Sequence, residues 1–130
     1  SIVWDESYTG HVGRLRPDGT IEDLGRMPGD NPILDGMAIA ADGSLLVTDL
    51  VGAGIHVVAR DGTVKGFIKC GGAPTNLAFD GETLWVTDAS VLASSDKPSY
   101  AGRLWRLKLP GGGAPTYKGT IKAQPARATA

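Results

Sequence analysis

Few residue types in this chain are arranged so that they could do chemistry. Five Asp-Gly pairs hold spaced carboxylates, at Asp18-Gly19, Asp35-Gly36, Asp42-Gly43, Asp61-Gly62 and Asp80-Gly81. The two histidines, His11 and His56, stand 45 residues apart, and Cys70 is the one cysteine. A single cysteine with no CxxC and no neighbouring histidine makes neither an internal disulfide nor a zinc site. No Gly-x-Ser-x-Gly elbow is present, which disfavours a Ser-His-Asp hydrolase. Gly111-Gly112-Gly113 lacks the lysine and the helix of a phosphate loop and reads as a loose loop after a strand. What remains is oxygen chemistry: carboxylates, with amides and hydroxyls beside them, that suit a hard divalent cation or a general base.

Position within the elements separates those carboxylates. Four Asp-Gly pairs lie between strand-like runs and read as hairpin turns. Asp35 instead precedes the small apolar run Gly36-Met37-Ala38-Ile39-Ala40. Its ordinary reading is an Asx turn before Gly36; its functional reading is a carboxylate at the start of an inner strand. Asp49 and Asp88 close second strands and read as loop ties through backbone hydrogen bonds. His11 and His56 fall in third strands, where a partly exposed structural role is expected. Trp4, Trp85 and Trp105 read as packing between sheets.

The elements that must hold these residues are short and turn-rich. With 19 Gly and 8 Pro in 130 residues, about a fifth of the chain makes turns, which excludes a helical bundle or a coiled coil. Hydrophobic content of 42% and charged content of 21% are those of a packed chain. No apolar run approaches the roughly 18 residues of a membrane helix. A net charge of -1 with scattered Lys and Arg offers no footprint for nucleic acid or an anionic membrane. No targeting segment is visible, and cytoplasm is the expected compartment. The absence of an initiator Met is read as processing, trimming or truncation.

Internal repetition fixes the architecture. Arg16-Pro17-Asp18-Gly19-Thr20 recurs as Ala59-Arg60-Asp61-Gly62-Thr63, an offset of 43, and at that offset Ser1-Ile2-Val3 falls on Ser44-Leu45-Leu46. Ser44-Leu45-Leu46-Val47-Thr48-Asp49 then returns as Thr83-Leu84-Trp85-Val86-Thr87-Asp88, an offset of 39. Four strands per roughly 40 residues, joined as a meander, make a β-propeller blade. The expected fold is therefore all-β, with strands two to four of a partial blade in 1–27 and complete blades in 35–70 and 75–120. Residues 94–99 interrupt the last blade as an exposed loop, and 121–130 form a flexible tail. Because a ring needs about 4 to 8 blades, about two and three-quarter blades must close with the rest of a longer chain or with a second copy. Innermost strands converge on the axis, so Asp35 is expected to point into the central opening.

Several segments resemble the C-terminal half of the SMP-30/gluconolactonase family: Asp5-Glu6-Ser7-Tyr8-Thr9-Gly10, Leu34 to Gly43, Ala73-Pro74-Thr75-Asn76-Leu77-Ala78-Phe79 and Leu84-Trp85-Val86-Thr87. The resemblance runs to about Leu109, and paraoxonases and strictosidine-synthase-like proteins share parts of it. It implies a six-bladed propeller hydrolase of lactones or related esters with one divalent metal on the axis. Calcium is the first expectation, and magnesium, manganese or zinc are the alternatives. Asp35 matches the family's Asp-Gly ligand and is implied as metal ligand, general base or both. Thr75 and Asn76 stand at the equivalent start of the next inner strand and are implied to line the mouth; for Asn76 a turn role competes. The family's first-blade Glu has no counterpart, and its Asn-Gly motif would lie before Ser1. The implied partners are a small lactone or ester and either a missing N-terminal half or a second copy in a homodimer. The other reading is a non-catalytic binding or scaffold module, or an inactive half.

Overall fold

A computed structural model describes residues 1–90 and 102–116, in which every regular element is a β-strand. Ten strands form three antiparallel sheets in sequence order. The first holds β1 (Ile2–Glu6), β2 (His11–Leu15) and β3 (Ile21–Arg26). The second holds β4 (Leu34–Ile39), β5 (Leu45–Asp49), β6 (Gly54–Val58) and β7 (Val64–Lys69). The third holds β8 (Pro74–Asp80), β9 (Thr83–Asp88) and β10 (Arg103–Lys108). Each is a meander; the offset of 43 places β1, β2 and β3 on β5, β6 and β7, and the offset of 39 places β9 on β5. Residues 117–120, where a fourth strand of the third sheet was expected, lie outside the described residues, as do the 94–99 loop and the 121–130 tail.

Turn chemistry explains the meander. At three hairpins the aspartate accepts a hydrogen bond from the amide two residues on: Asp18 from Thr20, Asp42 from Ser44 and Asp61 from Thr63, each at 2.9 Å. The glycines that follow, Gly19, Gly43 and Gly62, take φ of 86, 83 and 90°, a region that L side chains rarely enter. Gly81 closes the fourth hairpin with φ of 57°. At Asp42 the Ser44 amide, then the Lys65 ammonium, holds the carboxyl down to about 2.

The sheets stack face to face. Val12, Leu24, Met27, Leu34, Leu45 and Val47 fill the layer between the first and second sheets, and Leu46, Ile55, Leu77, Leu84 and Val86 fill that between the second and third. All five residues of β5 are buried, because its alternate side chains enter both layers. Among the described residues each outer sheet is packed against a neighbour on one face. Ile2 is 66% exposed where its repeat equivalent Leu45 is 3% exposed, and Leu104 is 63% exposed where Ile55 is fully buried. On its inner flank β1 pairs with no described strand, whereas β5 pairs there with β4 and β9 with β8.

Gly111-Gly112-Gly113 is a tied segment and not the loose loop that its composition suggests. After β10 the chain crosses back to the second sheet, where the Ala41 amide donates to Gly112 O at 2.9 Å and the Ala114 amide donates to Ile39 O at 2.8 Å. A side chain at Gly112 would strike Gly81 O, and one at Gly113 would strike the Phe79 ring. The run of glycines is what lets this crossing lie so close to β8.

Candidate functional site

Asp35 lies inside β4, at a break in register. Leu34 pairs with Asp49 and Met37 with Val47, so Asp35 and Gly36 together oppose Thr48. Such a bulge re-aims one side chain out of the sheet's alternation. Asp35 is exposed, and its carboxylate accepts no hydrogen bond from a described residue, which removes the Asx-turn reading. Gly36 is required by its neighbour: a side chain there would strike Asn76 and the Thr75 carbonyl of β8.

The third sheet repeats the break. Pro74 pairs with Asp88 and Asn76 with Thr87, which leaves Thr75 as the extra residue, in the place of Asp35. Hydroxyls knit this part of the molecule together. The Gly36 amide donates to Thr48 Oγ1 at 2.7 Å, Thr48 Oγ1 lies 3.3 Å from Thr75 O, and the Thr75 and Thr87 hydroxyls are 2.8 Å apart. Asn76 Oδ1 accepts from the Leu77 amide at 2.8 Å, the local turn bond that competes with ligation, and the residue is exposed.

Asp5 joins this group, although the sequence reading did not single it out. In the repeat frame it occupies the position of Thr48 and Thr87, and the Leu34 amide donates to Ser7 O at 3.1 Å, stitching β1 to the start of β4. Half-buried, its carboxyl is pushed above the ordinary range, first by burial and then by the negative charge of Asp35. Where the second and third sheets meet through hydroxyls, the first and second meet through two carboxylates. The signal was present as a departure: an acid where both other copies carry Thr.

Asp49 and Asp88 are loop ties, as expected. Asp49 Oδ1 accepts from the amides of Ile33, Val51 and Gly52 at 3.1, 3.2 and 2.9 Å. Asp88 accepts from the amides of Gly72, Ala73 and Ser90. Each also takes an N–H from the third strand of its own sheet: His56 Nε2 donates to Asp49 at 3.1 Å, and Trp105 Nε1 donates to Asp88 at 2.9 Å. Burial pushes the Asp88 carboxyl up, but the bond from Trp105 and those from the backbone together hold it below the ordinary range. His56 is 4% exposed and stacked near Phe67 with ring centroids 4.9 Å apart, so it is buried where partial exposure was expected. His11 remains on the surface, its Nδ1 3.2 Å from Asp23.

Asp35, Asp5, Thr75 and Asn76 offer oxygen donors only, the set a hard cation prefers. Among the described residues no group of three or more His, Cys, Asp or Glu is placed to hold a metal ion. The residues present therefore match such an ion in kind and fall short of a full coordination shell.

Three stacked antiparallel meanders around converging inner strands are part of a β-propeller, an all-β fold. The chain is similar to a solved luciferin-regenerating enzyme, with a TM-score of 0.68 and 19% identity over 86% of this chain and 42% of that one. It thus spans less than half the length of that structure, and the likeness establishes the shared fold. No family profile and no curated protein matches the chain. Among the described residues no helix is long and apolar enough to cross a membrane.

Proposed function

We propose that the chain is part of a propeller hydrolase of the gluconolactonase type, which opens a sugar lactone or a related ester at the mouth of the inner strands. The observation that carries this reading is Asp35: an exposed carboxylate at the bulge of β4, whose charge acts on Asp5 and which accepts no hydrogen bond from a described residue. Burial and then the charge of Asp35 raise the proton affinity of Asp5, so a positive charge or a proton beside the two carboxylates is stabilising.

Asp35 and Asp5 would hold part of the shell of a divalent cation, calcium first, with the remaining ligands supplied by further blades of the ring. Such an ion, when bound, supplies Lewis-acid polarisation of an ester carbonyl. The chain's own contribution is positional. In this reading Asp35 would accept a proton from an attacking water, Thr75, its hydroxyl bonded to Thr87, would line the mouth, and the Gly36 to Thr48 bond would steady the bulge that carries Asp35. The ring is closed by an N-terminal half or by a second copy, with the cytoplasm as the setting.

The test is hydrolysis of glucono-δ-lactone by the closed protein. Asp35→Asn and a metal chelator should each lower the rate by about a hundredfold or more, a scale set by general-base and electrostatic catalysis. Undiminished activity under both treatments overturns the reading. The absence of a three-ligand cluster among the described residues favours a second reading, a propeller that only binds, and that reading expects no turnover at all.

A further inference from the structure

Further along the strands that carry Asp35 and Thr75 lies a cavity of about 720 Å³ that the mouth residues do not line. Its walls are Met37 and Ile39 of β4, Leu77 and Phe79 of β8, and Val3 of β1; Ala114, on the crossing segment, supplies its floor. Of all its lining residues only Thr116 has a polar side chain. The floor is fastened, since the Ala114 amide donates to Ile39 O and Ala40 bridges to Gly113. Ile39 is 40% exposed into this space, and Ala78 beside it is exposed.

We propose that this cavity binds the apolar tail of the ester or lactone whose carbonyl is held at Asp35, so that the substrate class is a lactone with a hydrocarbon substituent. The inference rests on the hydrolase reading for the position of the carbonyl. Strand geometry sets the span. Met37 and Leu77 stand two residues along from Asp35 and Thr75, and Ile39 and Phe79 stand four, roughly 13 Å at about 3.3 Å per residue. A medium-length alkyl chain extended down the two strands bridges that distance. The volume lies within the usual range for small-ligand pockets, about 300 to 1,000 Å³. Apart from Thr116 its side chains offer a polyol no hydrogen-bond partner, so a hydrocarbon substituent suits them better. A methylene moved from water to them gains about fourfold in affinity.

The experiment compares δ-tetradecalactone, whose nine-carbon tail is long enough to reach Ile39 and Phe79 from a carbonyl at Asp35, with δ-valerolactone, the same ring without the tail, and adds calorimetric binding of 1-decanol. The tailed lactone should show a KM at least tenfold lower than its tailless counterpart. Ile39→Asp, which places a charge in the space, and Ala78→Trp, which fills it, should each abolish that difference and leave δ-valerolactone hydrolysis unchanged. Both positions are solvent-facing, and circular dichroism confirms that the variants fold. Equal KM values for the two lactones overturn the tail site and leave the hydrolase reading intact. If no lactone is hydrolysed the hydrolase reading falls; binding of 1-decanol that Ala78→Trp abolishes would then uphold the apolar site, and no binding would overturn it too. A change of native mass in Ile39→Asp without a change in KM identifies the groove as a surface covered by protein and overturns the proposal.

Discussion

Two pairs of regions in this molecule use aspartate in opposite ways. At the ends of β5 and β9, Asp49 and Asp88 are buried and each collects three backbone amides and one ring N–H. Near the end of β1 and at the bulge of β4, Asp5 and Asp35 accept no hydrogen bond from a described residue, and the charge of Asp35 acts on Asp5. The first pair is satisfied within its own sheet and can do nothing further. The second is left with its demand unmet, and a ligand can meet it. An Asp in this fold is therefore read by its donors and not by its place after an apolar run.

The largest expected effect breaks the satisfied pair. Asp49→Ala or Asp88→Ala strands four donors in the interior, and each should cost about 3–5 kcal/mol in urea unfolding, on the scale of a broken buried polar cluster. Asp35→Asn, measured alongside, should leave stability within about 0.5 kcal/mol. Equal losses at all three positions would erase the distinction.

A smaller effect probes the ring donors. His56 and Trp105 hold equivalent places, opposite Val47 and Val86, and both donate to the aspartate of the neighbouring strand. Trp105→Phe keeps most of the packing and removes the N–H, so it should cost about 1–3 kcal/mol. It should also shift the acid limb. Asp88 has a depressed carboxyl in the folded protein, so its contribution is complete above the ordinary value of about 4 and is lost as pH falls through the folded value. Removing the Trp105 donor should move that loss to higher pH, read from thermal midpoints between pH 2 and 5. An unmoved acid limb would show that Trp105 contributes packing alone.

The smallest effect has the opposite sign. Asp5 has a raised carboxyl, so the folded chain binds its proton more tightly than the unfolded chain. The contribution of Asp5 to stability is greatest below pH of about 4 and is lost as pH rises through the folded value. Asp5→Thr, which restores the residue of the other two copies, should stabilise at pH 7 by less than about 1 kcal/mol and flatten the profile between pH 4 and 7. The gain should shrink in an Asp35→Asn background, because the two changes relieve one repulsion. Full additivity would mean that the pair does not interact.

Much of this was legible in the chain. The hairpins at Asp18, Asp42 and Asp61 announce themselves because turn chemistry is local; the offset of 43 aligns the first sheet with the second, and that of 39 aligns β9 with β5. The loop-tying role of Asp49 and Asp88 follows from their place at strand ends. The partners of those carboxylates did not: His56 and Trp105 reach them through antiparallel register, which is set by the whole meander and not by spacing. Asp5 and the Gly113 crossing were missed for a related reason. Each depends on how neighbouring sheets pack, a contact between residues tens of positions apart. Only the break in the Thr pattern at Asp5 marked it in the sequence.

The open flank of β1 has a consequence for association. Among the described residues its outer amides and carbonyls have no strand partner, and an extended segment could continue the ladder beside Ile2, Val3 and Trp4. Main-chain groups carry no sequence information, so register and fidelity there must come from side chains. The Asp5 carboxylate stands beside that ladder. A strand that pairs one residue out of step turns its whole apolar face outward, so any segment that adds to this edge must match β1 in register.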